Sequence, residues 1–235
     1  AKGIPSTAAI TPIQFCEKYC QYVDEGYTDV IHVPINRSGS STYNNAVMAQ
    51  GMLREERPEH HLNIHLLDPH TYSMVFGWYL CEMARKLQNG AELRHVISEF
   101  ETQMNKMEVI LGPYSLKQMK KSGRISAAAA VMGELMGIRP IITLIDGKTR
   151  VESKVRGDDK VIPAMIDLCK KRTEGVEDFD YMIGHTSIPQ AAELEKACRK
   201  AFGKAPLTTF NLGGVVSANT GPDTLALVYV GKPRD

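Results

Sequence analysis

The chain has 235 residues, 43% hydrophobic and 23% charged, with a formal net charge of +1. That balance fits a soluble globular protein of one large or two modest domains. It gives no basic field of the kind that binds nucleic acid and no run of about 18 apolar residues that would make a transmembrane segment. No basic-then-apolar leader opens the sequence, which begins at Ala1 without a methionine and so reads as a piece of a longer chain. Five cysteines, odd in number and without metal-type spacing, fit packed thiols in a reducing cytoplasm. Cys16 and Cys20 lie four apart on a predicted helix and point the same way, but no second pair or nearby histidine completes a metal site.

Thr11-Pro12-Ile13-Gln14 is a strong helix start. Thr11 caps, Pro12 suits the first helical position and Gln14 closes a capping box. Cys16, Tyr19, Cys20 and Val23 form the apolar stripe, and Gly26 ends the helix. Residues 29–50 (DVIHVPINRSGSSTYNNAVMAQ) then read as strand, loop and helix. Val30, Ile31, Val33 and Ile35 make a short apolar run of the kind buried on both faces of a sheet. The 37–42 loop, Arg37-Ser38-Gly39-Ser40-Ser41-Thr42, follows, and Ala46, Ala49 and Leu53 mark the helix after it. A strand that ends in a Ser/Gly loop and feeds a helix N-terminus makes an anion site, because the first turn has unpaired N–H groups and a partial positive charge. The simpler alternative is that Ser40, Ser41 or Thr42 caps the helix. Neither Gly-Lys-Ser/Thr nor G-x-G-x-x-G is present.

Residues 62–67, with His65 inside, form a second strand, and Asp68-Pro69-His70-Thr71 is the loop after it. A helix carrying Trp78, Cys81 and Ala84 stops at Gly90. The next carries Leu93, Ile97, Phe100 and Met104. Residues 109–111 are a third strand. This alternation predicts a parallel sheet with helices on its faces, whose ligands bind beyond the carboxyl ends of the strands. The 37–42 and 68–71 loops both lie at such ends.

After Pro113 the pattern changes. Residues 116–121 make a short basic helix, and Ser122-Gly123-Arg124-Ile125-Ser126 a turn. A small-residue helix runs over 127–136. Strands at 141–145 and 148–155 flank Asp146-Gly147, a hairpin signal. A helix spans 158–171, a strand 181–183, and Ser187-Ile188-Pro189-Gln190 caps a helix that ends near Gly203. Strands at 207–212 and 225–230 close the chain, with a glycine-rich loop over 213–222 between them. The boundary is therefore placed after residue 113. An α/β N-terminal domain, residues 1–113, with a doubly wound parallel sheet precedes an α+β C-terminal domain, 114–235, with an antiparallel sheet. His60 and His61 read as a solvated pair, and His185 ends a strand before a capped helix.

Taken together, the hydroxyl loop, the Gly-Arg-Ile turn and the last glycine loop resemble the DegV family of fatty-acid-binding proteins, in order along nearly the whole chain. Thr7 to Pro12 (TAAITP) is similar to the family's Thr-Ser-x-Pro-Ser-Pro, with Thr7 and Pro12 matching and Thr11 keeping a hydroxyl. Ser40-Ser41-Thr42-Tyr43 is similar to Ser-Gly-Thr-Tyr. Gly123-Arg124-Ile125 matches the glycine-arginine-isoleucine motif, and Arg139-Pro140-Ile141-Ile142 precedes a strand and an Asp-Gly turn. Asn219-Thr220-Gly221-Pro222-Asp223 resembles the closing His-x-Gly-Pro-Gly, with two changes. The family's opening strand and Asp-Ser pair have no counterpart here, so the N-terminal domain is expected to lack its first strand.

The resemblance implies a cytoplasmic, non-catalytic carrier of two α/β domains, with a long-chain fatty acid buried in a tunnel between them and no cofactor. The family's carboxylate-binding positions fall on Thr7, Ser40 and Asn219, with Ser41 and Thr42 in the same hydroxyl cluster. The carrier presents its carboxylate to a separate fatty acid kinase, which makes the acyl-phosphate used in phospholipid synthesis, and Arg124 is the expected docking residue. Asparagine cannot carry the charge that histidine can, so head-group binding is expected to depend little on pH near neutrality. The competing expectation is an enzyme acting on a phosphorylated or acidic small metabolite, with the 37–42 loop holding the anion and His185 or Asp68 as acid or base.

Overall fold

The computed structural model describes residues 5–123 and 137–233. Arg124 and the expected helix over 127–136 lie outside the described residues. The fold is mixed α/β, with a small parallel sheet and a larger mixed one. The chain divides into two compact units, one formed by Ala8–Tyr72 and the other by the chain from Ser73 onward together with Thr7.

The smaller unit runs α1 (Pro12–Asp24), β1 (Asp29–His32), α2 (Thr42–Glu56) and β2 (Asn63–Leu66). The capping box at the start of α1 is present. The Gln14 N–H donates to Thr11 Oγ1 at 3.3 Å, and the Thr11 N–H donates to Gln14 Oε1 at 3.0 Å. A cap of this kind stabilises a helix by about 1 kcal/mol. β1 and β2 pair in parallel, with Asp29 opposite Asn63 and His32 opposite Leu66. Phe15, Cys16, Tyr19 and Cys20 of α1 bury against Ala46, Ala49 and Leu53 of α2 and against Leu62. The small alanines let the two helices approach closely. β1 is shorter than its apolar run implies and only half buried, because a two-stranded sheet offers few neighbours. His32 packs edge-on to Phe15, and its Nδ1 lies 2.6 Å from the Tyr19 hydroxyl.

The larger unit is built on a six-stranded sheet in the order β5-β4-β3-β8-β6-β7. Its strands are β3 (Met107–Pro113), β4 (Ile138–Ile145), β5 (Lys148–Arg156), β6 (Tyr181–His185), β7 (Thr209–Asn211) and β8 (Thr224–Val230). All pairings are antiparallel except β6 with β7. Helices α3 (Met74–Gln88), α4 (Leu93–Met104), α5 (Lys117–Ser122), α6 (Val161–Arg172), α7 (Gln190–Phe202) and α8 (Gly214–Thr220) complete it. Val161, Met165 and Cys169 of α6 and Leu194 and Cys198 of α7 bury against Ile110, Ile141, Ile183 and Leu227 of the sheet. At Gly112 a Cβ would meet Met165 Sδ at 2.4 Å and Val161 Cγ1 at 2.7 Å, so glycine lets α6 lie close on β3. The hairpin at Asp146-Gly147 forms as expected, with φ of 51° and 72°, the left-handed pair that a tight turn requires. β5 is an edge strand carrying Lys148, Arg150, Lys154 and Arg156, which discourages further strand pairing.

Compactness divides the chain between Tyr72 and Ser73. Two expectations are corrected. β3 is not a third parallel strand. It pairs antiparallel with both β4 and β8, and local periodicity carries no signal of which distant strand a segment will join. Residues 214–220 of the expected glycine loop form α8, a helix of about two turns with too few apolar positions to show a period. α3 buries Val75 and Met83, and Cys81 faces solvent.

Candidate functional site

In the smaller unit the 37–42 loop is organised by Asn36, which is 1% exposed. Its Oδ1 accepts from the Ser38 N–H at 3.1 Å and the Ser38 hydroxyl at 3.0 Å, the geometry of an Asx turn. Its Nδ2 donates to the Tyr72 hydroxyl at 3.0 Å, and its backbone N–H donates to the Thr71 carbonyl at 3.0 Å. These bonds join the loop after β1 to the loop after β2. Tyr72 lies directly over Gly39, where a Cβ would sit 1.8 Å from its hydroxyl oxygen. Any side chain at residue 39 would push the loop off Tyr72.

Ser40 and Thr42 share a hydrogen bond, Oγ to Oγ1 at 2.7 Å, and the Thr42 N–H donates to Ser40 Oγ at 3.2 Å. Ser41 stands at the N-cap of α2, but its side chain makes no cap hydrogen bond, and the first turn carries no acidic residue. The capping reading holds through Ser40. Ser40 satisfies one N–H of the helix, and the paired hydroxyls and the helix N-terminus remain a donor-rich spot.

Asp68 lies beside this loop with its side chain 8% exposed. Its Oδ1 accepts from the His70 N–H at 2.9 Å and the Arg37 N–H at 3.3 Å. Its Oδ2 makes no hydrogen bond, and lies 4.0 Å from Arg37 Nε and 3.6 Å from His70 Nδ1. The Arg37 guanidinium also sits 5.4 Å from the ring centroid of Tyr43. Arg37 thus faces Asp68 and an aromatic ring, so neutral donors, not this guanidinium, characterise the loop. Thr71 Oγ1 is a further buried polar atom without a hydrogen-bond partner. Such atoms cost about 1–3 kcal/mol each, and both belong to the loop after β2.

In the larger unit Thr7 is exposed. Asn219 is half buried near the end of α8, where its Nδ2 donates to the Val215 carbonyl at 2.8 Å. The basic helix α5 is tied to this turn. Gln118 Nε2 donates to the Ala218 carbonyl at 2.5 Å, and Ser122 Oγ to the Asn219 carbonyl at 3.2 Å. His185 Nδ1 accepts from the Ser187 N–H at 2.9 Å, which commits that nitrogen to a local turn.

The model described as "Uncharacterised protein, DegV family" matches residues 1–232. The chain belongs to the DegV family. A DegV domain-containing protein of Clostridium perfringens is 29% identical over 232 residues, spanning 97% of this chain and 78% of the relative. Among solved structures, a fatty acid binding DegV family protein of Streptococcus agalactiae is 26% identical with a TM-score of 0.84, over 99% of this chain and 80% of that one. A stearic-acid-binding protein of Eubacterium ventriosum shares the fold, with a TM-score of 0.87 at 21% identity, over 98% of this chain and 80% of that one.

Of the DegV positions read from sequence, Ser40 and Thr42 are joined by a hydrogen bond, and Ser41 is exposed beside them. Thr7 and Asn219 belong to the other unit, and Arg124 lies outside the described residues. Sequence reasoning missed Asn36, Thr71 and Tyr72. The available signal was an asparagine at a strand end two residues before a serine, an Asx-turn pattern. Nothing local marks Thr71 or Tyr72 as its partners.

Proposed function

We propose that this DegV chain is a non-catalytic carrier that binds a long-chain fatty acid in an apolar tunnel. Its carboxylate is held by the hydroxyls of Ser40 and Thr42, with Ser41, at the first turn of α2. Thr7 and Asn219 are the further head-group positions. The carrier presents the carboxylate to a fatty acid kinase that docks through Arg124 and the neighbouring basic helix α5. The observation that carries the reading is the hydroxyl pair Ser40–Thr42 at a helix N-terminus with no acidic residue in its first turn. The fatty acid binding of the Streptococcus agalactiae relative supports the choice of ligand.

The energetics suit a carrier. Each buried methylene contributes about 0.8 kcal/mol, so a tail of about 16 carbons offers roughly 12 kcal/mol before ordering costs. Hydrogen bonds to a charged carboxylate add about 1.5–3 kcal/mol each. The tail therefore sets affinity, and the hydroxyls fix the position of the head.

Titration of palmitate into the native chain and into Ser40→Ala and Arg124→Glu tests both halves. Ser40→Ala should weaken palmitate binding by about 10–100-fold, the loss of one charge-assisted hydrogen bond. Arg124→Glu should leave that affinity unchanged and lower phosphorylation of the bound acid by the kinase. Unaltered affinity in Ser40→Ala would remove the head group from this loop. An equal loss of affinity in Arg124→Glu would make that residue part of the lipid site instead of a docking point.

A further inference from the structure

Cys16 and Cys20 stand one helical turn apart on α1 and point to the same side. The fold brings Glu56, the last residue of α2, to the same place. One sulfur from each thiol and one carboxylate oxygen all lie within 4.8 Å of one another. The Cys20 thiol donates to Glu56 Oε2 at 3.6 Å. Cys16 and Cys20 are 1% and 9% exposed, and Glu56 is exposed. The cluster therefore opens from the edge of the apolar core to solvent on the carboxylate side.

Zinc binds thiolate sulfur at about 2.3 Å and carboxylate oxygen at about 2.0–2.2 Å. Those lengths place tetrahedral neighbours roughly 3.5–3.8 Å apart, a spacing that the Cys20–Glu56 pair already has. Two sulfurs select against magnesium and calcium, which take oxygen ligands. Burial, and after it the neighbouring Glu56 carboxylate, raises both thiols, while Arg57 beside Glu56 favours the charged form of Cys20. An incoming ion must therefore displace their protons.

We propose that Cys16, Cys20 and Glu56 form a binding site for one thiophilic divalent cation of the zinc class, with a fourth position open to water on the Glu56 side. The site joins α1 to the C-terminal end of α2, and it stands independently of the lipid reading.

The test is titration of Co²⁺ into the reduced full chain, followed by displacement with Zn²⁺. One equivalent should produce a sulfur-to-cobalt charge-transfer band and the strong visible bands of a tetrahedral ion, both bleached by Zn²⁺. Cys20→Ser should weaken the charge-transfer band, and Cys81→Ser, which alters an exposed thiol elsewhere, should not change it. Glu56→Gln should weaken affinity by at least about tenfold, since even partners outside the coordination shell can contribute that much. Because Glu56 is exposed, that variant should fold like the parent, which guards against misreading a misfolded cysteine variant. Absence of the band at stoichiometric Co²⁺, an undiminished band in Cys20→Ser, its loss in Cys81→Ser, or unchanged affinity in Glu56→Gln would each overturn the assignment.

Discussion

The two compact units spend their residues differently. In the larger one, every residue of β3 is buried and all of β8 except Val230. Its buried carboxylate is fully engaged. That carboxylate is Glu108, with Arg172 Nε at 2.5 Å, Arg172 Nη2 at 3.1 Å and the Tyr229 hydroxyl at 2.6 Å. In the smaller unit, β1 and β2 are four residues each and only half buried. There the polar groups sit at strand ends, and two of them, Asp68 Oδ2 and Thr71 Oγ1, are buried without hydrogen-bond partners. A sheet that satisfies all its polar atoms is built for stability.

The comparison breaks most visibly at Glu108. Glu108→Ala strands the Tyr229 hydroxyl and the Arg172 guanidinium, and should cost about 3 kcal/mol, the lower part of the range for half of a buried pair, because Arg172 reaches solvent. The urea midpoint of the whole chain should fall; an unchanged midpoint would show that the network contributes little to stability.

Gly39→Ala is the corresponding test in the smaller unit. Its Cβ cannot coexist with the Tyr72 hydroxyl, so the loop must move, at about 1–3 kcal/mol for overpacking. Palmitate affinity should fall with it. Removing the hydroxyl in Gly39→Ala/Tyr72→Phe should recover part of both losses. Recovery of stability without recovery of affinity would mean that the loop's position does not govern the ligand.

The smallest effect is on pH dependence. Burial holds His32 below its ordinary pKa of 6.5, so the folded state keeps the imidazole neutral while the unfolded chain takes up a proton. The sign follows: stability is complete above about pH 6.5 and falls as pH drops towards the lower folded value. His32→Gln should flatten this acid-side slope in urea unfolding across pH. An identical slope would place the titration elsewhere.

How much of this was legible follows the same division. Local chemistry was readable, because it depends on neighbours in sequence. The Thr11–Gln14 capping box, the Asp146-Gly147 turn and the hydroxyl loop before α2 all formed where residue types require them. Long-range pairing was not. Nothing in residues 107–113 announces strands β4 and β8 as antiparallel partners, so β3 read as a third parallel strand. The same limit hid the partners of the 37–42 loop. Ser40 and Thr42 were visible as hydroxyls beside a glycine, but their support from Asn36, Thr71 and Tyr72 crosses between two loops. Glu56 was likewise invisible as a partner of Cys16 and Cys20, since 36 residues separate it from Cys20. The order of motifs along the chain supplied what periodicity could not, since it pointed to the DegV family before any contact was known.

The most direct test of the central claim is mass spectrometry of small molecules extracted from the purified chain, repeated after incubation with a mixture of fatty acids. The account predicts one fatty acid per chain, retained through purification or taken up from the mixture, with its acyl length set by the protein. An extract that holds no fatty acid in either case would contradict it.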